Sequence, residues 1–312
     1  MPYIKFNTIE NHYQNKVILN ALNRHPELKY EKYLITEKLH GSNLQTIIDL
    51  DKPIQLASKN KVLQPNDSFY DVFNTVKQVE HVYNGLQTYG QVHGVNINVY
   101  QELFGSGVQT EIKYFESKKS VRFIAIRLDG VLQPPKVMFD IFDEMGCLEW
   151  LVPAYPFACG LKEALDFDIY KPSNFTPNNP TNLIEGVVIQ PYYKVFFTYE
   201  DDQPFILKKK NKKFVESYRT KKPPVPLNGK IVEINGAFQT YINENRLNNI
   251  FSKYGPIESP RQIGDYIKYM LEDAKEDFFK EQELDLDAFT KKEVGCIFNV
   301  SSKIANMLKK RL

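Results

Sequence analysis

The sequence predicts an α+β protein in two parts. A large domain of antiparallel or mixed sheets with flanking helices comes first, and a small all-helical C-terminal domain follows. Three observations predict this. Short runs rich in β-branched and aromatic residues recur from about Tyr30 to Phe214, which is strand composition. The segment Thr220–Gly229, TKKPPVPLNG, then breaks the chain, because adjacent prolines and a glycine cannot continue a helix or a central strand. Beyond it, apolar residues return at helical spacing. The expected divisions are residues 1–220, a linker at 221–229, and a helical domain at 230–312.

In chain order, the expected strands are Leu44–Ile48, Val95–Tyr100, Arg122–Leu128, Lys136–Phe142, Gly186–Ile189 and Pro204–Leu207. Between them, Phe69–Tyr83 places apolar residues at Phe69, Val72, Phe73, Val76, Val79 and Tyr83, a 3.6-residue rhythm that predicts a helix. A short helix is expected near Gly160–Ala164. After the break, Ser259-Pro260-Arg261-Gln262 reads as a helix start: a serine cap, proline at the first position and glutamine at the capping-box position. Ile263, Tyr266, Ile267, Met270 and Leu271 continue along one face. Val294, Ile297, Phe298, Ile304 and Leu308 suggest a last amphipathic helix.

Composition narrows the class. With 42% apolar and 25% charged residues, the chain is ordinary for a globular protein. Its 21 Phe and 19 Tyr can fill sheet cores or stack on bases. A net charge of +2 is too small to argue for nucleic acid, so any basic surface must be local. Cys147, Cys159 and Cys296 form no CxxC pattern, which favours a reducing compartment. The polar N-terminus does not read as a signal peptide, and no apolar run has the roughly 20 residues of a membrane helix. No membrane contact is expected. A monomer in the cytoplasm is expected (the host cytoplasm, if the source is a virus or phage).

One lysine stands out. In Thr36-Glu37-Lys38-Leu39-His40-Gly41-Ser42-Asn43, Lys38 follows the apolar run Tyr33–Ile35 and precedes Leu44–Ile48. It therefore falls at a strand end, in a tight connection. A lysine partly desolvated near other cations can become a nucleophile, though the octapeptide alone favours a surface lysine in a turn. Four other segments carry groups suited to a lysine attacking a nucleoside triphosphate. Glu102 in YQELFG can hydrogen-bond a ribose. Phe139 in VMFDIF can stack on a purine, and Asp140 beside it, in an apolar run, needs a partner. Glu185 in IEGVVI offers hard oxygen to a divalent metal. Lys208 and Lys210 in LKKK share one strand face and can neutralise phosphates. Gly105-Ser106-Gly107 lacks the spacing of a phosphate loop.

Together, EKLHG, YQELFG, VMFDIF, IEGVVI and LKKK resemble the five nucleotidyltransferase motifs of covalent polynucleotide ligases. The resemblance covers about residues 30–215. It is nearest to the RNA ligase 2 family, typified by the bacteriophage T4 enzyme and the trypanosome RNA-editing ligases. DNA ligases and capping enzymes usually carry Asp at the position of His40, and an OB-fold in place of the helical C-terminal domain. The resemblance implies an ATP-grasp-like nucleotidyltransferase fold and an ATP-dependent RNA ligase using Mg²⁺ or Mn²⁺. It would seal nicks in an RNA duplex, or RNA ends bearing 3′-hydroxyl and 5′-phosphate groups, through lysyl-AMP and RNA-adenylate. By match to the motifs, Lys38 is the nucleophile, Glu37 positions adenine, and His40, Gly41 and Asn43 support it. Glu102 binds ribose, Phe139 and Val188 flank the base with Asp140 beside them, Glu185 is the metal-linked carboxylate, and Lys208 and Lys210 bind phosphates. The family's phosphate-site arginine is replaced by Lys59, or by Lys61 after a two-residue slip. The rivals are a DNA nick ligase, a GTP-dependent capping-type guanylyltransferase, and a non-enzymatic RNA-binding protein.

Overall fold

A computed structural model describes residues 2–198, 203–214, 227–282 and 284–312. The chain divides into two compact units, Met1–Lys213 and Phe214–Leu312. The proline-rich break lies outside the described residues up to 226, and a helix begins at Leu227.

Two five-stranded sheets build the first unit, with flanking helices that include α1 (Asn15–Arg24) and the expected short helix, α5 (Leu161–Asp166). The first sheet has the order β4-β3-β5-β6-β7, from β3 (Ser42–Ile48), β4 (Gln55–Ser58), β5 (Ile97–Gly105), β6 (Lys119–Leu128) and β7 (Val131–Leu132). The second has the order β1-β10-β9-β2-β8, from β1 (Glu10–Asn11), β2 (Lys32–Lys38), β8 (Ala158–Cys159), β9 (Gly186–Pro191) and β10 (Leu207–Lys210). Pairing is antiparallel except between β1 and β10. On one face of the first sheet, Val99, Leu103, Val121 and Phe123 pack with Val82 and Leu86 of helix α3 (Glu80–His93). Burying such aliphatic and aromatic side chains contributes about 1.5–3 kcal/mol each, so this core holds the sheet in register.

The structure corrects several expectations. Lys136–Phe142 is not a strand but part of helix α4 (Pro135–Glu144). Pro135 occupies its first turn, where a missing N–H costs nothing. Met138, Ile141 and Phe142 are buried at i, i+3, i+4 spacing, so six apolar-rich residues that fit either period follow the helical one. Asp140 consequently faces solvent, paired with Lys136 at 2.7 Å, and is not the buried carboxylate expected. The predicted helix over Phe69–Tyr83 is divided into a short helix α2 (Val72–Thr75), a 3-10 turn (Val76–Val79) and the start of α3. The strand expected at Val95–Tyr100 continues to Gly105, so Glu102 lies within it. The strand expected at Pro204–Leu207 begins only at Leu207.

In the second unit, α6 (Leu227–Thr240), α7 (Glu244–Tyr254) and α8 (Ile263–Glu281) precede α9 (Lys291–Ile297) and α10 (Ser301–Lys309). The expected Ser259–Gln262 capping box is present. The expected last helix is two, divided at Phe298–Val300. Their core includes Phe238, Leu247, Met270, Phe278 and Ile304. Arg246 is fully buried within this unit. Its guanidinium donates to the Tyr241 carbonyl at 2.8 Å, to Asp277 at 2.8 Å and to Asp273, tying α7 to α8. Removing one member of a buried ion network costs about 3–5 kcal/mol. Arg246→Ala should therefore lower the stability of this unit by about 3 kcal/mol in denaturant unfolding; an unchanged midpoint would refute the role.

Candidate active site

Lys38 is the last residue of β2, and strand register gathers the groups around it. Lys38 pairs with Gly186 of β9, and Gly186 with Lys210 of β10. Glu185, just before β9, is thereby placed between two lysines. Its Oε1 lies 2.7 Å from Lys38 Nζ and 3.2 Å from Lys210 Nζ. A Cβ at Gly186 would strike the backbone carbonyl of Lys209, so the close strand approach requires glycine. Gly41 is constrained in the same way by the carbonyl of Leu103, where the chain leaves β2 and enters β3. Lys208 is half-buried two residues before Lys210 and shares its strand face.

His40 joins two carboxylates. Its Nδ1 is 3.1 Å from Glu185 Oε2 and its Nε2 is 2.9 Å from Glu111 Oε2. A neutral imidazole has one N–H, so donating to both carboxylates requires the charged ring. Burial alone would push the imidazole down, but Glu111 and Glu185 outweigh it and hold His40 above its ordinary value. Likewise, burial alone would raise Glu185, yet Lys38, Lys210 and His40 hold it well below the carboxylate range. At Glu111 the His40 hydrogen bond outweighs burial, and the carboxyl falls to about 2. The backbone N–H of His40 donates to the Tyr114 hydroxyl at 2.7 Å, which fixes the turn.

A cavity opens beside Lys38. Glu102, Val188, Ile124 and Phe6 line it together with Lys38. Glu102 of β5 lies opposite Asn43 of β3 in the sheet register. Burial pushes its carboxyl up to about 7; Glu185 adds to the rise, while Lys38, His40 and Lys59 oppose it. That influence places the Lys59 charge near the site. Lys61 instead pairs with Asp67 at 2.9 Å on the exposed side of the turn. Glu37 is buried, and its carboxylate accepts from the Ser173 hydroxyl at 2.6 Å and from Asn174 N and Nδ2 at 2.9 and 2.8 Å. Burial raises its pKa against those hydrogen bonds. The Glu37 carboxylate thus anchors the 173–174 loop.

Phe139 departs from its expected place. On α4 its ring lies 6.0 Å from Tyr192, and it borders a separate depression with Arg122 and Phe175. In the Lys38 cavity, β6 contributes Ile124. Glu111, Tyr114, Ser173, Asn174, Ile124 and Phe6 had no motif to announce them. Only the alternation of β6 could have suggested Ile124.

A lysine, a bridging carboxylate and a second lysine on neighbouring strands of one sheet, beside a cavity that the other sheet helps to line, mark a nucleotidyltransferase-type domain. The chain belongs to the RNA ligase family: the RNA ligase family model matches residues 31–210, and the T4 RNA ligase 2 C-terminal model matches residues 228–310. Among solved structures, a mutant Naegleria gruberi RNA ligase with ATP and Mn is similar at 15% identity and a TM-score of 0.52. The same enzyme with PPi, and a mutant of it with AMP and Mn, each match at 16% identity and a TM-score of 0.51. Each match covers 69% of this chain and 58% of that one, so this chain aligns with little more than half the length of those relatives. At such identity the likeness establishes the fold.

The charged pair at His40 can be tested directly. Glu111→Gln removes one anionic acceptor and should lower the His40 pKa, read by NMR titration of the ring. An unmoved titration would show that Glu111 does not hold the imidazolium.

Proposed function

We propose that the protein is an ATP-dependent RNA ligase joining 3′-hydroxyl and 5′-phosphate RNA ends through lysyl-AMP and RNA-adenylate. The observation that carries this reading is the meeting of Lys38, Lys210 and Glu185 at the edge of a cavity that also contains Glu102. In the first step Lys38 Nζ attacks the α-phosphorus of ATP. A P–N bond forms, the bond to the β-phosphate oxygen breaks, and pyrophosphate leaves. The amine must shed its proton to solvent, which the charge of Lys210 on the same Glu185 oxygen favours. An RNA 5′-phosphate oxygen then attacks the adenylyl phosphorus, returning the lysine. Finally an RNA 3′-hydroxyl attacks the activated 5′-phosphate and AMP leaves.

All three steps are in-line displacements, in which positioning and charge neutralisation supply most of the catalysis. Lys208, Lys210 and Lys59 would face the phosphates, Glu102 the ribose, and Val188 the base. Asn43, beside Glu102 in the sheet register, would help orient the sugar and phosphate. Glu37 would act through the loop it anchors.

Mg²⁺ or Mn²⁺ fits the donor set. Glu185 is a hard oxygen donor beside the lysine, and a cation held there would take its remaining ligands from water and phosphate. Glu185 would hold it, and when bound it would supply positive charge for the phosphates. Among the described residues no helix is long and apolar enough to cross a membrane, and we place the enzyme in the cytoplasm as a monomer.

Labelled ATP, but not GTP, should transfer its nucleotide to the protein, and nicked RNA should be sealed in preference to nicked DNA. Lys210→Ala should slow adenylylation by about 10²–10³-fold, as loss of one transition-state donor does. Transfer from GTP, or sealing of DNA alone, would overturn the reading.

A further inference from the structure

One side of the cavity beside Lys38 is built from neither sheet. Residues 2–9 precede β1 and form no helix or strand, yet they are fastened at successive points. The Tyr3 hydroxyl donates to the carbonyls of Ser58 and Lys59 at the end of β4. The Ile4 carbonyl accepts from the Tyr100 hydroxyl of β5 at 2.8 Å. Asn7 Oδ1 accepts from Arg127 of β6 at 2.5 Å, and the Thr8 carbonyl accepts from Gln203. The Glu10 N–H donates to the Ile206 carbonyl at 3.1 Å, and β1 continues in parallel with β10. The anchors begin on one sheet and end on the other. The segment is a strap from the Lys59 turn to the strand that carries Lys208 and Lys210.

Phe6 lies midway along the strap. It is half-buried, with its ring 4.8 Å from that of Tyr100. Among the described residues it is the one aromatic side chain lining the cavity, where it joins Ile9, Ile124, Val188 and Ile206. A purine offers two flat faces and a polar edge, and an aromatic ring with aliphatic neighbours suits those faces. Phe139, the aromatic expected from the motif pattern, sits on α4 beside Tyr192 and not in this cavity. The strap also lies outside residues 31–210, the part matched by the RNA ligase family model.

We propose that Phe6 supplies the aromatic wall of the nucleotide base pocket, and that the strap sets the affinity for ATP. The proposal rests on the ATP-dependent reading above. The fastening at Tyr3, Ile4, Asn7 and Glu10 holds the ring in place before nucleotide arrives, so little ordering accompanies binding. A base-binding wall acts on nucleotide affinity and leaves the displacement at phosphorus to Lys38 and its neighbours.

The test is the steady-state kinetics of protein adenylylation in the full chain. Phe6→Ala should raise the KM for ATP by about 10- to 100-fold with kcat little changed, the size of one lost base–aromatic stack. Phe6→Tyr should retain the wild-type KM. In the reverse reaction of the adenylylated protein, the KM for pyrophosphate, which has no base, should be the same in Phe6→Ala and wild type. Should Phe6→Ala lower the unfolding midpoint, Phe6→Leu carries the comparison, because it keeps apolar volume without a ring face. An unchanged KM for ATP, or an equal rise for ATP and pyrophosphate, overturns the proposal while leaving the ligase reading intact. Absence of any adduct between wild-type protein and ATP overturns both.

Discussion

The Glu185 carboxylate sits where three cationic side chains meet, and the surrounding structure keeps it there. Bringing Lys38, Lys210 and His40 together without an anion would be repulsive. Burying a carboxylate without cations would cost several kcal/mol. Each requirement answers the other, but only if two strands approach closely enough at Gly186 for both lysines to reach one oxygen. The β2–β9–β10 register satisfies that condition. His40 extends the network to Glu111 and so couples the second sheet's strand ends to a loop far away in sequence.

On the proposed function, this network also has a role before nucleotide arrives. Glu185 stands in for phosphate: it neutralises the lysines until a triphosphate offers them stronger partners. Glu102 is held differently. Its carboxyl, raised to about 7 mainly by burial, favours protonation near neutrality. Its raised folded pKa contributes stability below the ordinary carboxylate range, and that contribution is lost as pH rises through about 7.

Much of this was legible in the sequence, for physical reasons that differ by residue. Lys38 to Asn43 read as strand, turn and strand because apolar runs flank a glycine, and Lys208 and Lys210 share a face because strand side chains alternate. The Ser259 capping box was legible because its bonds are local. VMFDIF was not, since six residues rich in apolar side chains fit both periods; Pro134-Pro135, just before it, was the signal that it starts a helix. Glu111 and Phe6 were beyond reach for another reason. Glu111 meets His40 across 71 residues, and the Tyr100 hydroxyl meets Ile4 across 96. No spacing rule encodes contacts of that length.

The central claim is that Lys38 is the covalent nucleophile. The most direct measurement is mass spectrometry of the protein after incubation with ATP and a divalent cation, followed by peptide mapping under conditions that preserve a phosphoramide. The account predicts one AMP per chain, on Lys38. An AMP carried by another residue, or nucleotide bound only noncovalently, would contradict it.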